Sequence, residues 1–96
     1  MTVTDINELN EVIKGNEKVI VKFQTSWCFP CKQQDEILKD IQGVTIVKID
    51  AEEQFDIADE FSIMSVPTML FYKNGSLINK TIGVTSKERI NQMFER

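Results

Sequence analysis

Two cysteines, Cys28 and Cys31, are the residues of this sequence whose type and spacing most clearly suggest chemistry. On a helix, side chains three residues apart face each other with Cβ atoms about 5–6 Å apart, and a disulfide needs about 3.8 Å. A small adjustment of one helical turn therefore lets this pair form and break a disulfide. Half of a zinc site is the alternative, but zinc takes four ligands, and the chain has no histidine and no other cysteine. We therefore favour redox chemistry and expect no bound metal.

The two cysteines follow a predicted buried strand, 19–24, at the start of a predicted helix. Pro30 fits the first turn of that helix because its missing N–H costs nothing there. A thiolate, rather than a thiol, attacks disulfides, and the positive end of the helix dipole favours the thiolate. We predict that Cys28 is the exposed nucleophile and that Cys31, one turn deeper, resolves the mixed disulfide.

Length and composition limit the kind of protein this can be. The 96 residues suffice for a single domain, 1–96, with one core. The net charge is −4 and no block of basic residues occurs, which argues against binding to nucleic acid. No apolar stretch approaches the roughly 20 residues that span a bilayer, and the N-terminus does not resemble a signal peptide. We therefore expect no membrane association and a cytoplasmic location, where a cysteine pair is more often reactive than structural.

Hydrophobic periodicity predicts alternating strands and helices. The predicted strands are 2–4, 19–24, 44–50, 68–73 and 77–82. The predicted helices begin at the capping box 5–8, span 32–42 and 53–61, and begin again at the capping box 85–88, with Gly15 and Gly43 just past the first two. Asn74-Gly75 is a strong signal for a two-residue hairpin. The order β-α-β-α-β-α-β-β-α predicts an α/β fold with a mixed central sheet and helices on both faces.

At Trp27-Cys28-Phe29-Pro30-Cys31-Lys32 the chain resembles the thioredoxin family. Val66-Pro67-Thr68, entering a strand, resembles the family's cis-proline segment, and the Asn74-Gly75 hairpin and Gly83 fall at the expected places. These motifs occur in the right order over nearly the whole chain. The resemblance implies the thioredoxin fold and a redox-active Cys28–Cys31 disulfide.

The resemblance also implies a site for substrate beside Pro67. Pro67 is expected to be cis and packed against the disulfide, and the backbone of Val66 to pair with an extended substrate chain. Without the cysteine motif, a trans proline at the start of an edge strand would be the expected interpretation.

Apolar side chains are expected to rim a substrate groove: Phe29, Met64, Val66 and Val84. Gly83 would let a substrate backbone approach closely. The alternative is that Met64 and Val84 pack in the core. Trp27 is expected to cover the active-site loop, and a purely structural aromatic residue is the alternative there.

The sequence departs from the family pattern in several places. Phe29 replaces the small glycine usual between the cysteines, which enlarges the apolar patch. Gln24 stands where many relatives carry a tryptophan. The segment between Cys31 and Asp50 is shorter than in typical members and lacks their helix-kinking proline, so its helix should be short and straight.

Lys22 is the most informative departure, because the family usually buries an aspartate at this position beneath the resolving cysteine. Ile46 stands where the lysine partner of that aspartate would be. We predict that Lys22 extends to solvent; the alternative is that its charge lowers the pKa of a nearby thiol. In both cases Cys31 lacks carboxylate-assisted deprotonation, so that water or another group takes its proton.

By resemblance, the protein is expected to reduce protein disulfides and to be recharged by a thioredoxin-reductase-like flavoenzyme that uses NADPH. The domain itself would bind no cofactor and act as a monomer. Glutaredoxin-like action on glutathione mixed disulfides is an alternative, disfavoured because Gly83-Val84-Thr85 replaces a Gly-Gly-x-Asp-type segment. A non-catalytic partner-binding subunit is disfavoured by the intact cysteines and Pro67. An oxidase or isomerase is disfavoured by the missing export signal.

Overall fold

The structure is a computed structural model that describes residues 1–95. Helices and strands are interspersed along this part of the chain. The elements are α1 (Ile6–Gly15), β1 (Lys18–Gln24), α2 (Phe29–Leu38), β2 (Thr45–Asp50), α3 (Phe55–Glu60), β3 (Thr68–Lys73), β4 (Ser76–Ile82) and α4 (Lys87–Gln92). The strands form one sheet in the order β2-β1-β3-β4. β1 runs parallel to β2 and antiparallel to β3, and β3 runs antiparallel to β4. The predicted α/β fold with a mixed sheet is confirmed.

The first predicted strand, 2–4, is wrong as a strand. Thr2 makes a single isolated parallel bridge to Lys48, and the N–H of Val3 donates to the carbonyl of Lys48 at 3.0 Å. Asp5 then caps α1 by accepting a hydrogen bond from the N–H of Asn7. The helix begins too soon after Thr2 for a longer ladder to form.

The sheet separates two apolar clusters, and alternate residues of β1 belong to different sides. Val19, Val21 and Phe23 join one cluster, which includes residues of α1 and α3. Ile20 joins the other, which includes residues of α2 and α4. Lys22 lies two residues after Ile20 in β1, so both side chains point to the same face of the sheet, the face that carries α2.

Several helix boundaries differ from the prediction. α2 ends at Leu38 rather than at 42, and i→i+3 hydrogen bonds such as that from the N–H of Ile41 to the carbonyl of Leu38 continue the turn. α4 is capped by Ser86 rather than Thr85, because the Ser86 side chain accepts from the N–H of Arg89. Gly15 is the last residue of α1 instead of lying just past it.

The hairpin between β3 and β4 is confirmed. Asn74 and Gly75 both have positive φ, 52° and 84°, as the tight two-residue turn between antiparallel strands requires. Within the part of the chain that the structure describes, no helix is long and apolar enough to cross a membrane.

Candidate redox site

Cys28 and Cys31 form a disulfide at the N-terminus of α2, with their Cα atoms 5.3 Å apart. Cys28 is the N-cap residue, and its Sγ accepts a hydrogen bond from the backbone N–H of Cys31 at 3.1 Å. The sulfur therefore occupies the place that a serine or aspartate oxygen usually takes at a helix N-terminus. Pro30 lies in the first turn, where no intrahelical partner for its nitrogen is needed. The sequence prediction of this arrangement agrees with the structure.

The predicted exposure of Cys28 is wrong for the disulfide form. Cys28 is 4% exposed and Cys31 is 2% exposed, so accessibility does not distinguish them. Their positions relative to α2 distinguish the two cysteines, because only Cys28 lies at the cap. There its sulfur faces an N–H at the positive end of the helix. Hydrogen bonding at the helix cap, rather than exposure, therefore distinguishes the two sulfurs in this structure.

The prediction that Lys22 extends to solvent is also wrong. Its side chain is fully buried, and Nζ donates to Oδ1 of Asp35 at 2.6 Å, to Oε1 of Gln24 at 2.6 Å and to the carbonyl oxygen of Cys31 at 2.9 Å. An ammonium has three N–H donors, and each has an acceptor here. A neutral amine would turn its lone pair toward one of these oxygens, so the contacts favour the charged form.

Asp35 shares its Oδ1 between two lysines, because Nζ of Lys48 lies 3.1 Å from the same oxygen. The lysine that reaches this carboxylate does not stand at position 46, where the family pattern would place it and this chain has isoleucine. The register of β1 and β2 places Lys48 opposite Lys22 and Ile46 opposite Ile20. Lys48, two residues further along β2 than Ile46, thus reaches the carboxylate.

The contacts within this cluster shift the pKa values of Lys22 and Asp35. Burial lowers the pKa of Lys22 from its usual value, the hydrogen bond and charge of Asp35 offset this only in part, and Lys48 lowers it further. Burial would raise the pKa of Asp35, but hydrogen bonds and charge from Lys22 and Lys48 outweigh it and hold that pKa below its usual value. Two ammonium groups and one carboxylate leave one net positive charge beneath Cys31.

Sequence reasoning missed Asp35 and Lys48 as parts of the site. A signal for Asp35 existed, because it follows Cys31 by four residues and therefore lies on the same side of α2. Gln24 was noted only as a departure from the family, and the structure gives it a partner in Lys22. Within residues 1–95, no group of three or more His, Cys, Asp or Glu side chains is arranged to hold a metal ion.

Three of the four predicted groove residues, Phe29, Met64 and Val84, are exposed apolar side chains, whereas Val66 is partly buried and packs against the apolar cluster that includes residues of α1 and α3. Met64 is 93% exposed and Val84 is 46% exposed, which excludes core packing for both. Trp27, Met64 and Val66 line one open cavity of about 380 Å³, together with Ala51, Ile63 and Ser65. Val84 lines a different cavity of about 660 Å³ along β4 and α4.

The two aromatic residues of the cysteine motif are also largely exposed. They are Phe29, at the start of α2, and Trp27, whose Nε1 donates to Oε2 of Glu52 at 3.1 Å.

Pro67 and Gly83 lie next to each other across the start of β3 and the end of β4. The Val66–Pro67 peptide bond is cis, and the N–H of Gly83 donates to the carbonyl of Pro67 at 2.9 Å. Gly83 has φ of +84°, a conformation that L side chains rarely adopt. A Cβ built there would meet no atom of the chain within 4 Å, so this position borders open space.

Comparison with known proteins agrees with this geometry. The thioredoxin family model matches residues 1–96. A thioredoxin from Mycoplasmoides gallisepticum is 32% identical over 97 residues, covering 97% of each chain. The oxidised mitochondrial thioredoxin 3 of Saccharomyces cerevisiae superposes with a TM-score of 0.88 at 34% identity, covering 100% of this chain and 94% of the other. A bifunctional thioredoxin reductase/thioredoxin from Mycobacterium leprae is 31% identical over 90 residues, covering 88% of this chain and 20% of that protein.

The matched segment includes both cysteines, and the solved relatives share the arrangement of sheet and helices described above. The chain belongs to the thioredoxin family, and its Cys28–Cys31 pair makes it a thiol–disulfide oxidoreductase.

Proposed function

We propose that this protein reduces disulfides of other proteins, with Cys28 as the nucleophile and Cys31 as the resolving thiol. The observation that carries the proposal is the hydrogen bond from the Cys31 N–H to the Cys28 Sγ at the helix cap. After reduction of the disulfide, the same N–H and the helix dipole stabilise a thiolate at Cys28. A Cys28 thiolate at the helix cap is the form of the cysteine that attacks a substrate disulfide.

The first step forms a mixed disulfide. The Cys28 thiolate attacks one sulfur of the substrate disulfide, a bond forms between the two sulfurs, and the other substrate sulfur leaves as a thiolate. Neither the N–H nor the carbonyl of Val66 takes part in a backbone hydrogen bond to any residue from 1 to 95. These groups support the proposal because an extended substrate chain could pair with them beside Pro67.

The second step closes the Cys28–Cys31 disulfide. The Cys31 thiolate attacks Cys28 Sγ, and the bond between Cys28 and the substrate breaks and releases the second substrate thiolate. The substrate gains two electrons, the protein loses two, and the two protons from the protein thiols pass to solvent and to the substrate thiolates. Electron flow in this direction requires a donor that reduces the Cys28–Cys31 disulfide again.

Lys22 supports the second step as a buried cation. Its Nζ is bound to the carbonyl oxygen of Cys31, and the cluster beneath that residue carries one net positive charge. A positive charge at short distance favours the Cys31 thiolate over the thiol. Asp35 is a poor proton acceptor, because two lysines hold its pKa below the usual value. The proton of Cys31 therefore leaves to water without help from a carboxylate.

The electron donor in this proposal is a thioredoxin-reductase-like flavoenzyme that uses NADPH. The M. leprae relative supports this, since its name joins a thioredoxin reductase and a thioredoxin in one protein. The domain formed by 1–96 would itself bind no cofactor and act as a monomer. We place it in the cytoplasm, where glutathione and reductases keep thiols reduced.

The test is reduction of the interchain disulfides of insulin with dithiothreitol as the electron source. We expect the wild-type protein to accelerate the reaction, Cys28→Ser to give no acceleration, and Cys31→Ser to accumulate a mixed disulfide. Replacing dithiothreitol by NADPH and a thioredoxin reductase tests whether such a reductase is the electron donor.

Insulin reduction no faster than the uncatalysed rate would refute the proposal. Faster action on a glutathionylated peptide than on insulin would indicate a glutaredoxin-like activity instead. A partner function retained in the Cys28→Ser, Cys31→Ser double variant would indicate a non-catalytic subunit.

A further inference from the structure

Gln34 follows Cys31 by three residues on α2, and its side chain is fully buried. Its Nε2 donates to the carbonyl oxygen of Thr85 at 3.0 Å, and the N–H of Thr85 donates to its Oε1 at 2.7 Å. The side-chain amide thus pairs with both backbone groups of one residue, as a neighbouring strand would. The helix that carries the resolving cysteine is joined in this way to the segment before α4.

We call Gly83, Val84 and Thr85 the groove loop. Its first residue is held on the β3 side, because the N–H of Gly83 donates to the carbonyl of Pro67 at 2.9 Å. Its last residue is held by Gln34, and the Thr85 hydroxyl also donates back to the carbonyl of Gly83 at 3.2 Å. Val84, between these two anchors, remains half exposed. The groove loop is therefore fixed at both ends while its middle faces outward.

We propose that Gln34 is a positioning residue for substrate docking, whose amide holds the groove loop against α2 so that the surface beside Pro67 is formed before substrate arrives. This inference rests on the proposed function, since the groove is where the substrate chain would lie. Ordering a loop during association reduces affinity, and a loop already ordered by folding avoids that loss.

An apolar side chain of similar size could fill the space that Gln34 occupies, but it would leave both backbone groups of Thr85 buried without a partner. The loop would then move toward water to satisfy them. A purely structural role for Gln34 predicts a different result, namely a loss of stability with no effect on substrate docking.

The test compares Gln34→Met with Gln33→Met, the same substitution at the neighbouring, exposed position of α2. Each variant is measured with insulin and with the small disulfide 5,5′-dithiobis(2-nitrobenzoic acid), which does not need an extended chain in the groove. For Gln34→Met we expect the KM for insulin to rise about fivefold, with kcat and the rate on the small disulfide within about twofold of wild type. For Gln33→Met we expect no change beyond about twofold.

An unchanged KM for insulin in a folded Gln34→Met protein would overturn the inference, as would equal losses on both substrates. If the wild-type protein does not reduce insulin, the proposed function fails instead, so the two failures are distinguishable.

A second measurement does not depend on the folding of Gln34→Met. In the free protein, the Thr85 amide should already be protected from hydrogen exchange, and disulfide linkage of a substrate peptide to Cys28 in the Cys31→Ser variant, which cannot release it, should change that exchange rate less than about twofold. Rapid exchange in the free protein that slows only when the peptide is linked would show that the loop is not preformed.

Discussion

Two neighbouring residues of α2, Gln34 and Asp35, join this helix to the rest of the molecule near Cys31 through polar side-chain contacts of different kinds. Gln34 is fully buried and pairs as a neutral amide with the backbone of Thr85. Asp35 is 28% exposed and pairs as an anion with the fully buried Lys22 and with Lys48. One contact is neutral and holds a loop, and the other is charged and includes the lysine bound to the carbonyl oxygen of Cys31.

The difference between the two contacts shows that a small fold can use one polar side chain to position a loop and a different one to set the charge near a cysteine. A neutral amide fixes distances without adding a net charge, whereas a cluster with a net positive charge favours the thiolate form of a nearby cysteine. We therefore expect substitutions at Gln34 to change docking but not the pH dependence of the chemistry. Substitutions at Lys22 should do the reverse.

The largest expected effect is on stability and comes from Asp35→Ala. Removing the carboxylate leaves the buried ammonium of Lys22 without its counter-charge, which in buried pairs costs about 3–5 kcal/mol. Because Asp35 is partly exposed and Lys48 is released to solvent, we expect a loss of about 3 kcal/mol in the free energy of unfolding.

Urea denaturation measures this loss, with Asp40→Ala, at an exposed position in the turn that follows the same helix, as the control. Lys22→Met, which removes the buried charge and leaves Asp35 paired with Lys48, should cost less than Asp35→Ala. Equal losses for Asp35→Ala and Asp40→Ala would mean that the charged contact contributes nothing to folding.

The next largest effect concerns the resolving step. Lys22→Met removes the buried cation bound at Cys31, and we expect the resolution rate near neutral pH to fall about tenfold, with the pH profile displaced to higher pH. Single-turnover release of a substrate thiol from the Cys28 mixed disulfide, followed from about pH 6 to pH 9, gives the profile.

Lys32→Met, a loss of the same charge from the exposed residue after Cys31, is the matched control and should change the rate less than about twofold. Lys22→Asp adds a second carboxylate and should move the profile further. Superimposable profiles for wild type, Lys22→Met and Lys22→Asp would show that position 22 has no part in the reaction.

A smaller effect is expected in acid. Because the pKa of folded Asp35 lies below its unfolded value, the contact stabilises the protein fully above about pH 4 and less as the pH falls through the folded pKa. The free energy of unfolding should therefore fall more steeply with decreasing pH in wild type than in Asp35→Asn, by about 1 kcal/mol between about pH 5 and pH 2. Parallel curves would contradict the charged contact.

The smallest effect is expected from Glu52→Gln, at the exposed hydrogen bond with Trp27. Exposed contacts of this kind contribute little, so the free energy of unfolding should change by less than about 0.5 kcal/mol. A loss above about 1 kcal/mol would show that Trp27 is fixed over the active-site loop more firmly than its exposure indicates.

The features that local chemistry determines could be predicted from the sequence. The Asn74-Gly75 turn needs positive φ at both residues, so the sequence identified it and the bounds of β3 together. The place of Cys28 at the start of α2 followed from the strand before it and from Pro30 in the first turn. The family motifs then indicated the fold as a whole.

The features that depend on distant residues could not be predicted in the same way. Lys22 is buried because Asp35, 13 residues later, supplies a carboxylate, and burial of a lysine without that partner would be too costly. Lys48 was overlooked because the register of parallel strands is set across a helical crossover rather than by a turn. The Gln34–Thr85 pair joins residues 51 apart, and no local pattern marks it.

The most direct test of a stabilised thiolate at Cys28 is alkylation of the fully reduced protein by iodoacetamide, with the rate followed separately at each cysteine across pH. We expect Cys28 to react faster at neutral pH than cysteine in an unstructured peptide, with its half-maximal rate at a lower pH than that of the peptide, and Cys31 to react more slowly than Cys28. Slow labelling of both cysteines at one common rate, no faster than the peptide, would contradict this expectation.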